Sequence, residues 1–394
     1  MRVTFASRPG TCGNGRDMIG YRKALFADNF QSIGDWNAPD CVPGPMRVSI
    51  TKADGRITRV RSSAGASFPQ TSERVTDLGM VSPIEASAYF FSIVPQIERE
   101  ATRDKSRILL PAVLANAGDV VPQLTSLARD ESRVTETRRS AIHWLGLLGD
   151  ARVVPTLVAF ARGSDSSDDD RRGKKGLSET AMAALGSMDD DIGVPSLIDL
   201  AHSGSRDTRR QAVFWLGQTG NPRALATLHT VIENQQEDDE VRAHAVFSLG
   251  QAADKDPSQL RYLQSIYPRA TEAMKDQIFL AMGQKDGGSA WLLQKASDPN
   301  ESTEIRRKAL FWAGQNQDTP TRDLAAFYRS ASNESLKEHA IFVLSQRNDD
   351  AALNELMRIA QSDTDRRMRA KALFWLGQKD DPRVTKFIAD KISR

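Results

Sequence analysis

The sequence predicts a mostly α-helical protein, an α-solenoid of about nine helix pairs with a small N-terminal subdomain that contains β-strands. Two observations carry this prediction. An eight-residue apolar string recurs eight times from Ser140 onwards, and successive copies begin 40, 31, 33, 33, 31, 31 and 32 residues apart. A second helix-like apolar segment lies between consecutive copies. A fixed period of this size is typical of repeat proteins, which stack small helical units into one continuous core.

Length and composition exclude several other classes of protein. The chain has 394 residues, of which 40% are hydrophobic and 26% are charged, and 53 Lys and Arg against 51 Asp and Glu leave a net charge of +2. Disordered, collagen-like and membrane proteins have different compositions. No apolar run approaches the roughly 18 residues that a membrane-spanning helix needs. We therefore expect no membrane span, and the first residues lack the apolar segment of a secretory signal, although its earlier removal stays open.

Residues 1–80 break the period and predict a separate subdomain, and residues 81–394 form the repeat array. Residues 46–61 alternate between apolar and polar side chains on both sides of Asp54-Gly55, which is a strong β-hairpin signal. Residues 2–6 predict another strand, and residues 62–76 predict a loop. We expect this subdomain to cover the apolar end of the first repeat, because terminal repeats need such a cover.

Each repeat consists of helix A, a short turn and helix B, and the recurring string lies in helix B. Val154–Ala161 and Val194–Ala201 are examples of helix A, and Pro155 and Pro195 suit a first helical turn, where the missing N–H needs no partner. A ninth, degenerate copy of the string begins near Leu109. One helix pair cannot bury its own apolar face, so neighbouring pairs must stack.

Two further positions repeat with the same period. When the first residue of each string is position 1, position 11 is Asp in six of eight units, and the residue two before position 1 is Arg or Lys in seven. The acidic ladder includes Asp150, Asp190, Asp318, Asp349 and Asp381. The basic ladder includes Arg138, Arg209, Arg242, Arg306 and Arg369.

Together these features resemble the HEAT-like repeat, including the variety named after phycobilisome lyases, over roughly three quarters of the chain. The resemblance implies that the loop Asp and the helix B Arg of these ladders bridge along the stack. Structural ion pairs and an anion-binding track are the two interpretations left open.

A helical wheel separates the buried side of helix B from a polar side that carries large aromatic residues. Positions 2, 3 and 6 share the apolar arc, and positions 1, 5 and 8 lie on a different arc. Position 5 includes Trp144, Trp215, Trp312 and Trp375, and position 8 is Gln218, Gln251, Gln284, Gln315, Gln346 and Gln378. The resemblance puts helix B on the concave surface, so these residues are candidates for partner binding. The alternative is that the Trp side chains only fill gaps between helices.

The two cysteines, Cys12 and Cys41, both lie in the N-terminal subdomain. A disulfide between them would close a loop of about 28 residues and contribute about 3 kcal/mol. Such a bond indicates an oxidising compartment. The arrangement is also similar to exported bacterial HEAT-repeat proteins, which favours a periplasmic or otherwise extracytoplasmic location. Two reduced thiols in a cytoplasmic protein are the alternative.

Sequence motifs for catalysis and metal binding are absent. There is no nucleophile elbow, phosphate loop or His-Glu-Xaa-Xaa-His, and the five histidines lack ligand spacing. The polar insertion at 163–176 carries Asp165 and Asp168–Asp170 but lacks the spacing of a calcium loop, which favours a solvated loop over a metal site. We therefore expect no catalytic residues, no metal and no cofactor.

The favoured function is a non-enzymatic scaffold that binds a protein or an extended peptide in the concave groove. One alternative is a HEAT-like enzyme or a protein that binds a chromophore or another small ligand, by analogy of fold alone. A second is nucleic-acid binding, which the near-zero net charge disfavours. The sequence does not determine the oligomeric state.

Overall fold

The chain folds into stacked helix pairs preceded by β-strands, as seen in a computed structural model that describes residues 1–16, 18–22, 24–27, 30–33, 41–65, 68, 75–100, 108–163 and 171–392. It contains two compact units, Met1–Ala224 and Leu225–Arg394. The repeat arrangement of helices confirms the predicted α-solenoid class. Each helix in the described ranges is too short or too polar to cross a membrane.

The N-terminal strands form two sheets within the first unit. One sheet has the order β8-β7-β1-β9, and the other has the order β5-β4-β3-β2-β6. The strands are β1 (Arg2–Phe5), β2 (Thr11–Gly13), β3 (Ile19–Tyr21), β4 (Ala24–Ala27), β5 (Phe30–Ile33), β6 (Val42–Pro43), β7 (Met46–Ala53), β8 (Arg56–Ala64) and β9 (Asp77–Met80). Their number and shortness show that the predicted subdomain contains more β-structure than the hairpin alone.

The predicted hairpin around Asp54-Gly55 is confirmed. Strands β7 and β8 pair antiparallel with Ile50 opposite Val60. Asp54 and Gly55 have φ angles of 50° and 77°, the positive values that a tight two-residue hairpin turn requires. The inward-facing Met46, Val48 and Ile50 of β7 are buried, so the alternation in sequence matches the two faces of the sheet. Strand β8 continues to Ala64, into the segment that was predicted to be a loop.

The helices of the first unit begin directly after β9. They are α1 (Pro83–Ser92), α2 (Val94–Glu100), α3 (Leu110–Val113), α4 (Val121–Arg129), α5 (Thr135–Leu148), α6 (Val154–Arg162), α7 (Arg171–Ser187), α8 (Asp190–Ser203) and α9 (Arg206–Thr219). The degenerate copy predicted near Leu109 is reduced to the short, fully buried α3. The compact units divide at 224/225, so the boundary predicted at 80/81 stays a prediction.

Two predicted helix starts are wrong. Pro195 lies inside α8, which begins five residues earlier at Asp190, because Asp189 starts the helix with a carbonyl that accepts from the Ile192 and Gly193 N–H groups. Helix α7 begins at Arg171, within the insertion that was predicted to be a loop up to residue 176. Asp165 and Asp168–Asp170 of the insertion lie outside the described residues.

The second unit continues the alternation of helices A and B. Its helices are α10 (Pro222–Glu233), which begins at the unit boundary, α11 (Asp239–Ala252), α12 (Ser258–Ile266), α13 (Glu272–Gln284), α14 (Ser289–Ser297), α15 (Thr303–Gln315), α16 (Thr321–Ser330), α17 (Glu334–Gln346), α18 (Asp350–Ser362), α19 (Arg366–Leu376) and α20 (Pro382–Ile392). Helices A carry even numbers from α4 to α20, and helices B carry odd numbers from α5 to α19.

Short polar side chains start the helices B of this unit. Thr271, Ser302 and Asn333 each accept a hydrogen bond from the backbone N–H three residues later, at the starts of α13, α15 and α17. Such an N-cap satisfies one of the free N–H groups at a helix start and stabilises the helix by about 1 kcal/mol. The caps recur with the period of the repeat, which explains why these helices B begin at the same place in each repeat of the second unit.

The N-terminal strands pack on the helices of the first unit, as expected for a cover. Phe5 of β1 lies with its ring centroid 5.9 Å from that of Phe90 in α1. The Arg22 guanidinium, next to β3, donates hydrogen bonds to the carbonyls of Leu147 and Leu148 at 2.9 and 2.7 Å. These carbonyls end α5 and have no partner inside the helix, so the β-structure satisfies the end of the first helix B.

Candidate binding face on the second helices

Glycine at repeat position 7 lets neighbouring helices B approach closely. A Cβ atom added to Gly283 would lie 2.6 Å from Cε3 of Trp312, and one added to Gly186 would lie 3.1 Å from Cε3 of Trp215. The same relation joins Gly146 to Ala184, Gly250 to Ala281 and Gly314 to Val343. Position 5 of each of these helices therefore rests on the glycine at position 7 of the helix B before it.

Trp215 and Trp312 thus have a packing role, and both keep part of their surface exposed. Each ring meets the Phe before it edge-on, with centroid distances of 5.4 Å from Phe214 and 5.3 Å from Phe311. Trp375 is also half-buried, with its centroid 5.3 Å from that of Phe342 in the preceding helix B. These side chains fill gaps between helices and still contribute to the surface, so their role in partner binding stays a prediction.

Trp144 is the exception, and its predicted place on a binding surface is wrong. Its side chain is only 1% exposed. The ring centroid lies 6.0 Å from that of Tyr21 in β3, so the N-terminal strands cover it. Trp144 belongs to the first helix B, where the β-structure takes the place that a preceding repeat takes elsewhere.

A second aromatic stripe at position 4 was missed at the sequence level. Phe214, Phe247, Phe311 and Phe342 are half-buried, and Phe374 is 58% exposed. The helical wheel contains the signal, because position 4 lies about 40° from position 8 and about 60° from position 1, on the polar arc. The partly exposed aromatic residues of helices B are therefore the position 4 Phe residues together with the position 5 Trp residues other than Trp144.

The position 8 glutamines lie beside this stripe. Gln218, Gln284, Gln315, Gln346 and Gln378 are exposed, and Gln251 is half-buried. We call the surface formed by positions 1, 4, 5 and 8 of the helices B in the second unit the B face. Exposed amides next to partly exposed aromatic rings give the B face both hydrogen-bonding groups and apolar anchors.

Charged side chains on the B face of the second unit are paired with each other. The Lys308 ammonium at position 1 lies 2.8 Å from the Asp276 carboxylate of the preceding helix B. Lys371 and Glu338 form the equivalent pair at 3.5 Å. The hydrogen bond to Asp276 raises the pKa of Lys308. This pairing leaves an aromatic and amide surface with little net charge.

The basic ladder is used inside the repeats. The Nε atoms of Arg138, Arg242 and Arg306 donate to the carbonyls ten residues earlier, those of Ala128, Ile232 and Ala296, at 3.0, 3.0 and 2.9 Å. Arg209 and Arg369 donate to carbonyls that follow their own helix A, those of Gly204 and Asp363, at 2.8 and 2.7 Å. The arginines therefore satisfy the carbonyl end of helix A.

The acidic ladder has a separate role, so the predicted bridge between the ladders is wrong for Arg138, Arg242 and Arg306. Asp150, Asp349 and Asp381 accept hydrogen bonds from backbone N–H groups at the starts of the following helices, and Asp318 is exposed. The side chain of Asp190 lies outside the described residues. Hydrogen bonds from Arg152 and Arg383 hold the pKa values of Asp150 and Asp381 below the usual range.

Position 9 of the second unit links consecutive repeats, and this link was also missed. The Arg347 guanidinium donates to the carbonyls of Gly314, Asn316 and Thr319 in the preceding repeat, at 3.2, 3.3 and 3.0 Å. Lys379 donates in the same way to the Arg347 carbonyl at 2.9 Å. Because position 9 of this unit is Ala, Lys, Asn or Arg, no single residue type identifies it in the sequence.

The predicted disulfide is present. Cys12 of β2 and Cys41 are bonded, with their Cα atoms 5.1 Å apart and 29 positions apart in sequence. Cys41 directly precedes β6, which pairs with β2. The bond therefore links β2 to the neighbouring edge strand β6 at one side of the five-stranded sheet.

Histidines and acidic residues do not assemble into a metal centre in the described ranges, where no group of three or more His, Cys, Asp and Glu side chains has suitable geometry. Burial lowers the pKa of His143 to about 4 and also lowers the pKa of His339. His143 lies in the first unit and His339 in the second.

Comparison with known proteins agrees with the repeat geometry. A family model described as HEAT repeats matches residues 179–281. No curated protein sequence matches the chain. The alternation of helices A and B continues before and after the matched residues. The chain therefore contains HEAT repeats at residues 179–281, within a longer array of HEAT-like helix pairs.

Three solved structures show a distant likeness. Human deoxyhypusine hydroxylase in complex with glycerol is 16% identical, with 61% of this chain and 89% of that chain covered and a TM-score of 0.29. The CpcE and CpcF complex of phycocyanin lyase from Nostoc sp. is 19% identical, with coverages of 60% and 92% and a TM-score of 0.29. An engineered protein is 16% identical, with coverages of 68% and 98% and a TM-score of 0.22. Likenesses this weak assign neither an activity nor a ligand to the chain.

Proposed function

We propose that the protein is a non-enzymatic scaffold whose B face binds a protein partner through an extended segment. One observation carries the proposal: an exposed glutamine recurs beside a partly exposed Phe on consecutive helices B of the second unit. The clearest examples are Gln315 beside Phe311 and Gln346 beside Phe342. Neither residue type is needed at these positions to close the core, which is formed by positions 2, 3 and 6.

The spacing of these groups suits an extended polypeptide. Neighbouring packed helices lie about 10 Å apart, which is close to three residues of an extended chain at about 3.3 Å each. Successive glutamines can therefore hydrogen-bond backbone groups at regular intervals along one segment. The Phe rings between them provide the apolar contacts that dominate binding energy in interfaces.

The charge pattern supports a protein partner over a polyanion. Lys308 and Lys371 are each paired with an acid of the preceding helix B. A nucleic acid would require unpaired cations along its path.

An oxidising, extracytoplasmic compartment is part of the proposal, and the Cys12–Cys41 disulfide supports it. Disulfides persist mainly outside the reducing cytoplasm. The test is rapid acid precipitation of cells of the native source, which preserves the thiol state, followed by labelling of the denatured protein with a thiol-reactive polymer. Unlabelled Cys12 and Cys41 would support the oxidising compartment, and full labelling would contradict it.

The function is tested by affinity capture from extracts of the native source, with Gln284→Ala/Gln315→Ala/Gln346→Ala as the variant bait. The matched control, Gln123→Ala/Gln294→Ala/Gln361→Ala, removes three exposed glutamines from helices A. We expect wild type and control to retain the same partner and the B-face variant to lose it. Retention of the same partner by all three baits would contradict the proposal.

A further inference from the structure

Helix α19 presents a packing site that no other described helix fills. Gly377 occupies position 7, and a Cβ atom added there would meet only the carbonyl oxygens of its own helix, at Leu373 and Phe374, both at 3.5 Å. Gly377 is exposed, unlike Gly283 and Gly314, which are covered by Trp312 and Val343. The socket that receives a position 5 side chain elsewhere is therefore open at α19.

Phe374 shows the same lack of cover. Its equivalent in α17, Phe342, is half-buried and contacts Trp375 of the next helix B at a centroid distance of 5.3 Å. Phe374 itself is 58% exposed. A large side chain that rested on Gly377 would also cover Phe374, as Trp375 covers Phe342. A repeat that simply closed the stack would carry polar residues here.

The charges on this side of α19 indicate which charge a helix that binds there must carry. At the junction of α17 and α19, Glu334 pairs with Arg367, eight residues before Trp375. The residue of α19 that corresponds to Glu334 is Arg366, which is exposed. The sign of the charge is thus reversed, so an incoming helix must carry an acid, and not a base, eight residues before its central large side chain.

We propose that the open side of α19 binds an amphipathic α-helix of a partner protein that carries an aromatic or β-branched residue and an acidic residue eight positions before it. The apolar residue rests on Gly377 and Phe374, and the acid pairs with Arg366. Continuity with the packing between helices B of this chain supports the assignment. The site shares Phe374 with the B face but uses none of the position 8 glutamines, so failure of this proposal and failure of the proposed function can be distinguished.

The chain itself contains a helix with this spacing, which provides the probe. In α15, Glu304 precedes Trp312 by eight residues. The experiment titrates a fluorescein-labelled, hydrocarbon-stapled peptide of residues 301–316 with the full-length protein and follows fluorescence anisotropy. The staple is needed because isolated helices of this length are marginal in water.

Two substitutions test the two contacts. We expect Gly377→Leu to weaken peptide binding at least tenfold, with an unchanged circular dichroism spectrum, because only atoms of α19 lie near Gly377. Arg366→Glu should weaken it similarly, and a Glu304→Arg peptide should bind the Arg366→Glu variant better than the original peptide does. The Gln284→Ala/Gln315→Ala/Gln346→Ala variant should bind the peptide like wild type, which separates this site from the position 8 glutamines of the B face.

Three results would overturn the proposal. The first is that the wild-type protein shows no saturable binding of the peptide. The second is that both variants bind the peptide as tightly as the wild-type protein does. The third is that the wild-type protein is a dimer by light scattering and that Gly377→Leu converts it to a monomer. That result would assign the open side of α19 to a second copy of the chain.

Discussion

Trp312 rests directly on Gly283 of the preceding helix B, where a Cβ atom on the glycine would lie 2.6 Å from the indole Cε3. The two residues are 29 positions apart and form one contact between consecutive repeats. We predict that Gly283→Ala destabilises the protein by about 1–3 kcal/mol, because the added methyl group overpacks this contact.

A double-mutant cycle in urea checks this contact. Trp312→Ala alone should also destabilise the protein, and the double variant should lose less than the sum of the two, by about 0.5–3 kcal/mol. Gly377→Ala is the matched control at the same repeat position, and we expect it to stabilise α19 by up to about 1 kcal/mol. If the losses of stability from Gly283→Ala and Trp312→Ala are additive, the two residues are not energetically coupled and the predicted contact is contradicted.

Arg306→Ala should destabilise the second unit by about 1–3 kcal/mol. The side chain donates to the Ala296 carbonyl at 2.9 Å and is half-buried, and removal of the donor leaves the end of α14 without this partner. Arg322→Ala is the control, since the Arg322 side chain is 84% exposed. Chemical denaturation measures the free energy of unfolding of both variants. Equal values for Arg306→Ala and Arg322→Ala would contradict a structural role for the basic ladder.

Stability should fall between about pH 6.5 and pH 4 through His143. Burial lowers the folded-state pKa of His143 from 6.5 to about 4, so the unfolded state binds the proton first as the pH falls. The stability contribution is fully present above pH 6.5 and decreases below it by at most about 1.4 kcal/mol per pH unit. We expect His143→Gln to flatten the pH dependence of the urea midpoint in this range. A variant with the same slope as wild type would rule out this titration.

Loss of the disulfide should destabilise the N-terminal β-structure. On the chain-entropy estimate, a closed loop of about 29 residues contributes about 3–4 kcal/mol. We expect Cys12→Ser/Cys41→Ser to expose Trp144 to solvent, since Tyr21 of the same sheet covers it. Trp fluorescence and iodide quenching report this change. Unchanged quenching after loss of the bond would show that the sheet holds its place on α5 without it.

The regular part of the fold was predictable from the sequence because its causes are local. The period places every helix B, and the alternation around Asp54-Gly55 places the hairpin. The five-stranded sheet was not predicted beyond its cysteines, because strands such as β2 and β3 have three residues each, too few to show alternation.

The surface was predictable only in part, because exposure depends on neighbours that are distant in sequence. Trp144 and Trp312 occupy the same repeat position, yet Trp144 is buried because Tyr21 packs on it. Likewise, no pattern shows that Arg306 points to a carbonyl of its own helix pair and not to the acidic ladder. The position 4 Phe stripe, by contrast, was readable from the helical wheel.

The most direct test of the B face as a binding surface is site-specific photo-crosslinking in cells of the native source. A photoreactive amino acid replaces Gln315 on helix B α15, or Gln294 on helix A α14 as the control, and both sites are exposed. We predict a discrete crosslinked protein from position 315 and none from position 294. A crosslink to the same protein from both positions, or from position 294 alone, would contradict the assignment of the B face.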